Sequence, residues 1–122
     1  VKIMARGEKP FIMKRNDTAP ALIATVYDKG CLGGWNRLNL SAVTKVDFSM
    51  ADDCGVLTIS SQSAQTISAN SGIIQYSWKE GDTAVAGNFV GEFELFFADG
   101  TKMSLPREGG ISIRIEEDIN NI

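Results

Sequence analysis

The amino-acid sequence predicts an all-β protein with two packed layers of antiparallel strands, a β-sandwich. Apolar and polar residues alternate with a period of two in most apolar segments, which is typical of strands with one buried face. Roughly eight or nine such segments are separated by turn-forming residues, and none has the length or the period of a regular helix. This pattern allows a sandwich or a barrel, and we prefer the sandwich.

The N-terminal half contains strands that are bounded by turn-forming residues. The predicted strands are residues 11–13, 21–28 and 43–50. Residues 16–20 (NDTAP) predict the first turn, and the glycine-rich residues 29–37 predict a loop. Alternation in the third strand places three apolar side chains toward the core: Val46, Phe48 and Met50. The polar residues between them, including Asp47, are expected to face outward.

The C-terminal half contains more of these segments. The predicted strands are residues 56–60, 64–68, 73–78, 88–97, 101–106 and 110–116. We expect residues 88–97 and 110–116 to pair with residues 43–50 in one sheet, and residues 56–60 and 64–68 to form edge hairpins. The side chains predicted to face the core are Ile74, Tyr76, Trp78, Phe89, Phe93, Leu95, Phe97, Ile111, Ile113 and Ile115.

Two turns in this half have a specific predicted conformation. Asp99 and Gly100 suit a type I′ β-turn, in which both central residues have positive φ. Residues 82–87 predict one short helical turn that crosses between the sheets. Asp82 would accept a backbone hydrogen bond at the start of this turn, and Gly87 would end it with positive φ.

The length and the charge of the chain limit the functions that it can have. The 122 residues fit one domain, residues 1–122, with a core of about residues 10–116 and with the N-terminal segment and the acidic C-terminal tail as contact arms. The net charge is −3 and the 12 Lys and Arg residues are scattered, which argues against nucleic acid as a partner. We expect no membrane partner and no signal peptide, because no apolar run has the required length.

The residues of common active sites are missing. Because the chain has no histidine, Ser-His-Asp triads, Cys-His pairs and His-ligated zinc sites are excluded. We therefore predict that the protein is not an enzyme and that it has no catalytic residues, no cofactor and no metal site. Asp52 and Asp53 are interpreted as a polar turn. Calcium binding together with Asp47 or Asp28 is the minority alternative, because the spacing of a calcium loop is missing.

Contacts with partners are assigned to residues near the chain ends and in the glycine-rich loop: Arg15, Trp35, Glu116, Glu117 and Asp118. Trp35 either is exposed and anchors an interface or packs over one end of the sandwich. Cys31 and Cys54 are either free thiols, which we prefer, or joined by one disulfide bridge. The acidic neighbours of Cys54 disfavour a reactive thiolate there.

A series of short motifs occurs in a characteristic order. In chain order they are an Asp-Thr-x-Pro turn, a strand ending near a Trp, an Asp-Thr pair, an Ala-Gly pair, a Glu-Phe strand and an Asp-Gly hairpin: residues 17–20, Trp78, 82–83, 86–87, 92–93 and 99–100. This series resembles the immunoglobulin-like domain at the N-terminus of baseplate upper proteins of tailed bacteriophages. The resemblance covers roughly residues 13–115 and implies an immunoglobulin-like antiparallel β-sandwich.

The resemblance also implies a function. It indicates a non-enzymatic bacteriophage virion structural protein, an adaptor or fibre-attachment component of the tail, baseplate or neck, located in the virion after assembly in the host cytoplasm. Its partners would be other virion proteins and copies of itself. The alternatives are a capsid decoration protein and a carbohydrate-binding module for host surface glycans, with Trp35 and Tyr27 as the aromatic pair. Phe89 replaces an aromatic hydroxyl of the family, so we expect packing alone to hold the crossover between the sheets.

Overall fold

The computed structural model describes residues 2–5, 10–29, 31–106, 110–117 and 119. Its strands are β1 (Lys2–Ala5), β2 (Phe11–Lys14), β3 (Leu22–Lys29), β4 (Trp35–Arg37), β5 (Val43–Asp52), β6 (Leu57–Ser68), β7 (Ile73–Tyr76), β8 (Gly87–Phe97), β9 (Lys102–Leu105) and β10 (Ile111–Glu116). Among the described residues, no helix is long and apolar enough to cross a membrane.

The strands form two packed layers. In sheet 1, β3 pairs with β1, β4 and β7, and β7 pairs with the C-terminal part of β6. In sheet 2, β5 pairs with the N-terminal part of β6 and with β8, while β8 also pairs with β9 and β10, and β10 pairs with β2. Within the described chain these pairs are antiparallel except β2–β10, which is parallel. The predicted all-β sandwich is confirmed.

The pairing predicted for the three longest alternating strands is also confirmed. β8 lies between β5 and β10, with Phe48 of β5 opposite Phe93 of β8, and with Gly91 of β8 opposite Ile111 of β10. The predicted buried side chains of these strands and of β7 lie in the core, with the exception of Phe97, which is only half buried. The alternation therefore gave the correct inward face of sheet 2.

The core between the sheets is centred on aromatic rings. The ring of Phe48 in β5 lies 4.5 Å from that of Tyr76 in β7 and 5.0 Å from that of Phe93 in β8, measured between centroids. Trp78 packs edge-on against Phe48 and Tyr76, at 5.9 Å and 5.3 Å. Tilted and edge-on aromatic pairs add to the stabilisation that burial provides, so this cluster joins the two sheets.

β6 links the two sheets, and the edge hairpins predicted at residues 56–60 and 64–68 are wrong. The strand runs without interruption from Leu57 to Ser68, pairing first with β5 and then with β7. Ser61 has a φ of 48°, and its N–H donates to Ser49 Oγ at 2.9 Å. This irregularity lies within the pairing with β5, which continues to Ala64. From Gln65 onward the strand pairs with β7, so the chain passes from sheet 2 to sheet 1 between Ala64 and Gln65. A strand that changes layers has no single buried face, which explains its polar sequence.

The segment between β7 and β8 contains a turn in place of the helical turn predicted at residues 82–87. Asp82 Oδ2 accepts hydrogen bonds from the N–H of Lys79 at 2.8 Å and from the hydroxyl of Tyr76 at 2.5 Å. Both donors precede Asp82 in the chain, so its carboxylate stabilises the turn on its N-terminal side. A helix cap would instead bond to N–H groups that follow it. Gly87 is the first residue of β8 and ends no helix. The predicted helical turn is therefore wrong.

The crossover is also tied to the turn that precedes β3. The hydroxyl of Thr83 donates to the carbonyl oxygen of Asp17 at 2.8 Å, and the N–H of Asn16 donates to the carbonyl oxygen of Thr83 at 2.9 Å. Thr83 is buried, so these hydrogen bonds are shielded from water. The expectation that packing alone holds the crossover is wrong, because hydrogen bonds join the turn at Asn16 and Asp17 to the turn at Asp82 and Thr83.

The hairpin between β8 and β9 differs from the predicted type I′ turn. The N–H of Gly100 donates to the carbonyl oxygen of Phe97 at 3.0 Å, and Gly100 has a φ of 91°, whereas Asp99 does not have positive φ. This geometry is a type I turn followed by a left-handed glycine, the usual form of a three-residue hairpin loop. The predicted type I′ turn is therefore wrong, although the position of the hairpin is right.

Candidate functional site

The outer face of sheet 2 carries a row of residues that lie side by side on four strands. Leu57 of β6 is opposite Ala51 of β5, Ala51 is opposite Val90 of β8, and Val90 is opposite Ser112 of β10. Because the residues on either side of Val90 in β8 are buried, Val90 faces away from the core. We call Leu57, Ala51, Val90 and Ser112 the outer row.

The outer row exposes apolar side chains to solvent. Val90 is 47% exposed and Leu57 is 59% exposed, and Val56, which directly precedes Leu57, is also 59% exposed. Single exposed apolar residues are ordinary, but adjacent ones in register on a sheet face form a continuous apolar surface. The outer row is therefore a candidate binding surface.

Two shallow depressions lie on either side of Val90. One is lined by Ala51, Leu57 and Glu92, and the other by Asp53, Asn88 and Ser112, with Val90 common to both. Gly110 borders the first depression, and a Cβ atom there would lie 3.0 Å from Cβ of Val90. The absence of a side chain at this position therefore keeps the surface beside Val90 open.

Charged residues lie on both sides of the outer row. Glu92 follows Val90 by two residues in β8, and Arg114 follows Ser112 by two residues in β10. Because β8 and β10 are antiparallel, these two side chains lie on opposite sides of the row. Arg114 Nη1 is 3.8 Å from Glu116 Oε2, with about half of each side chain exposed. Such an exposed pair contributes little to stability and leaves Arg114 able to reorient.

A ladder of charged side chains continues the face beyond Glu92. Asp47 of β5 is opposite Glu94 of β8, and they form ion pairs with Lys45 at 3.4 Å and with Lys102 at 3.2 Å respectively. Asp47 lies on the outer face, as predicted, but it is only 4% exposed, and its Oδ1 has no hydrogen-bond partner among the described residues. The acids of the ladder are thus paired with lysines, and Glu92 lies between the ladder and the outer row.

The turn between β5 and β6 places three ligand-type side chains together. One ligand atom from each of Asp52, Asp53 and Cys54 lies within 4.8 Å of the other two. The turn is rigid, because Asp52 Oδ1 accepts hydrogen bonds from the N–H groups of Cys54 and Val56, both at 2.9 Å. Carboxylate and thiolate groups at this separation could hold a borderline metal ion such as zinc.

The structure brings together three of the contact residues predicted from the sequence. The N–H of Arg15 donates to the carbonyl oxygen of Glu116 at 2.8 Å, and Arg15 Nε lies 3.7 Å from Glu117 Oε2. Trp35 lies in the other sheet, in β4, and is 46% exposed. Asp118 lies outside the described residues. Arg15 and the two glutamates thus join the ends of β2 and β10 to each other.

The structure also gives the positions of the two cysteines and of the aromatic pair formed by Trp35 and Tyr27. Cys31 and Cys54 are free and exposed, as we preferred. Trp35 is opposite Lys29 on β3, two residues from Tyr27, so the proposed aromatic pair lies diagonally on one face of sheet 1.

Sequence reasoning missed the outer row, although the sequence contains a signal for it. Val90 occupies an outward position in β8, where the next two outward residues are Glu92 and Glu94. An apolar residue in an otherwise acidic outward series indicates a surface that is not simply solvated. Leu57 gave no such signal, because its strand was predicted at an edge and its partners were unknown.

Comparison with solved structures identifies the fold. This chain is similar to CopC from Methylosinus trichosporium OB3b, with a TM-score of 0.56 and 11% sequence identity, over 95% of this chain and 93% of CopC. The likeness confirms the immunoglobulin-like β-sandwich and, at this identity, shows the fold alone. No family model and no curated protein matches the chain.

The virion function expected from the sequence is corrected by this comparison. The matched structure is CopC and not a phage structural protein, and nothing supports a role in a tail, baseplate, neck or capsid, or as a glycan-binding module. The physical reason is that the motifs behind the resemblance are turns and strand ends, which specify a sandwich and not what it binds. The virion location and virion partners were inferred together with that function and have no support from the comparisons.

Proposed function

We propose that this chain is a non-catalytic protein-binding domain and that its binding surface is the outer row of sheet 2. The observation that carries the proposal is the exposure of Val90 of β8 and Leu57 of β6 in register, with Ala51 of the intervening strand β5 between them. Burial of apolar surface is the main favourable term in protein association, and contiguous exposed apolar residues mark such surfaces.

The surroundings of the outer row also suit a binding surface. Glu92 and Arg114 border the apolar residues, so an apolar centre is surrounded by charged groups, as in many protein interfaces. The backbone beneath is rigid, because β5 and β8 are the central strands of sheet 2 and are paired on both sides. A preformed surface loses little conformational entropy when a partner binds.

Site-specific photo-crosslinking in cells tests this function. A photoreactive amino acid at position 90 should give crosslinked protein products, whether the partner is another protein or the same chain. The matched control is position 85, because Val85 is 68% exposed but lies in the crossover between β7 and β8. Equal crosslinking from both positions, or none from position 90, would contradict the proposal.

A second candidate function is the binding of a metal ion at the turn between β5 and β6. The specific observation is the proximity of the ligand atoms of Asp52, Asp53 and Cys54, within 4.8 Å of one another. Three protein ligands would leave a fourth position of a tetrahedral ion open.

Cobalt(II) titration tests the metal site, because a cobalt–thiolate bond produces a charge-transfer absorption band. The band should appear with the native chain, disappear in Cys54→Ser and persist in Cys31→Ser, whose cysteine is also free and exposed. A band that survives Cys54→Ser, or that never appears, would eliminate this candidate.

A further inference from the structure

We infer that the outer row binds a second copy of this chain, with the two copies related by a twofold axis that runs along the row. This inference rests on the proposed function and names the partner. It follows from two properties of the face: the apolar residues lie along one line, and Glu92 and Arg114, which lie on opposite sides of that line, have opposite charges.

The first property concerns the apolar residues. Leu57, Ala51 and Val90 lie on three consecutive strands in one line across sheet 2. A twofold axis along this line places each residue of the row against the same residue of the other copy. Leu57, Ala51 and Val90 then each meet the same apolar side chain of the other copy, as a symmetric interface requires. An axis perpendicular to the line would instead place Leu57 of one copy near Ser112 of the other.

The second property concerns the charges. A twofold axis along the row exchanges its two sides, so the side that carries Glu92 meets the side that carries Arg114. These residues lie on the neighbouring strands β8 and β10, each two positions from the row. Glu92 of one copy therefore lies opposite Asn88 of the other copy and one strand away from its Arg114, and symmetry produces this arrangement twice. The opposite charges of Glu92 and Arg114 favour a second copy as the partner, because a twofold interface must be complementary to itself.

The polar residues along β5 fit the same arrangement. Ser49 lies two positions from Ala51 on the side of Glu92, and Asp53 lies two positions from Ala51 on the other side. Exchange of the two sides brings the exposed carboxylate of Asp53 near the hydroxyl of Ser49, so a hydrogen-bond donor meets an acceptor.

Sedimentation velocity over a range of concentrations, up to the order of 100 µM, tests the association. The native chain should form a dimer, and Val90→Glu should weaken dimerisation by about 100-fold or more, because two charges would be buried at the centre. Val85→Glu is the control and should dimerise like the native chain, since Val85 is exposed away from sheet 2. Circular dichroism should show that both variants are folded.

Charge reversal tests the register. Glu92→Arg and Arg114→Glu should each weaken the dimer by about tenfold, and the double variant should recover most of the native affinity. A monomeric native chain, a dimer indifferent to Val90→Glu, or a double variant no tighter than the single variants would overturn the inference. If the chain is a monomer but position 90 still crosslinks to another protein, only the inference of a dimer is overturned. If position 90 gives no crosslinks at all, the proposed function is overturned as well.

Discussion

Gly91 of β8 occupies a position where a Cβ atom would fit only if neighbouring core side chains moved. A Cβ atom there would lie 2.9 Å from two ring atoms of Phe48 and 2.9 Å from Cδ1 of Ile113. Protein interiors are close-packed, so these side chains must move to admit even a methyl group. Gly91 lies between Val90 and Glu92 in the chain. The tight packing of Gly91 in the core therefore fixes the positions of Val90 and Glu92 on the outer face of the sheet.

Gly91→Ala should lower the free energy of unfolding by about 1–3 kcal/mol through overpacking of the core. Chemical denaturation followed by tryptophan fluorescence measures the change. Gly34→Ala is the matched control, because a Cβ atom at Gly34 meets no atom within 4 Å. The control should change the stability by less than about 0.5 kcal/mol. Equal losses in both variants would show that the predicted contact is not the cause.

At the scale of elements, the crossover between β7 and β8 depends on one buried phenol. The hydroxyl of Tyr76 donates to Asp82 Oδ2, and the same oxygen accepts the N–H of Lys79. Burial of Tyr76, followed by its hydrogen bond to Asp82 and the charge of that carboxylate, raises the pKa of Tyr76 well above its ordinary value. The folded protein thus retains the phenol proton at a pH where the unfolded chain has released it.

Tyr76→Phe should therefore reduce the dependence of stability on pH in alkaline solution. In the unfolded chain the phenol ionises near pH 10, so the contribution of the proton is complete below about pH 10 and is lost as the pH rises further. Above about pH 10, the free energy of unfolding of the native chain should fall more steeply with rising pH than that of Tyr76→Phe. Denaturation at a series of pH values measures both slopes. Parallel curves would contradict this role of Tyr76.

Sequence patterns predicted some elements and failed for others, for identifiable reasons. The strict alternation of β5, β8 and β10 predicted their buried faces and their pairing, because each of these strands stays in one layer. β6 changes layers between Ala64 and Gln65, so no single period describes it, and the sequence pattern indicated two hairpins in its place. The contacts of Asp82 with upstream donors were not predictable, because a turn and a helix cap use the same residue types.

At the scale of the whole molecule, both the core and the candidate site depend on sheet 2. Its inner face supplies the Phe48 and Phe93 rings of the core, and its outer face carries the outer row. The sequence predicted the inner face, since burial follows from alternation. Val90 alone gave a signal, but the outer row as a whole was not predictable, because it requires the register of four strands. The burial of Asp47 depends likewise on neighbouring strands and not on its own segment.

Phe93→Ala should lower the free energy of unfolding by about 3–5 kcal/mol, because it removes a fully buried ring from the cluster that joins the sheets. Phe96 on the same strand is the control for the opposite face. It is half buried, and the Nζ atom of Lys45 lies 5.0 Å from its ring centroid. Phe96→Ala should cost clearly less. Thermal or chemical unfolding measures both, and a larger loss for Phe96→Ala would reverse the assignment of inner and outer faces.

The most direct test of the outer row as the functional surface is a nuclear magnetic resonance dilution series of the native chain. As the concentration rises, the amide signals of Ala51, Leu57, Val90 and Ser112 should shift together and define one dissociation constant. The signals of Val85 and Ile67, which are also exposed apolar residues, should stay constant. Signals that are independent of concentration, or shifts confined to sheet 1, would contradict the association of two copies through the outer row.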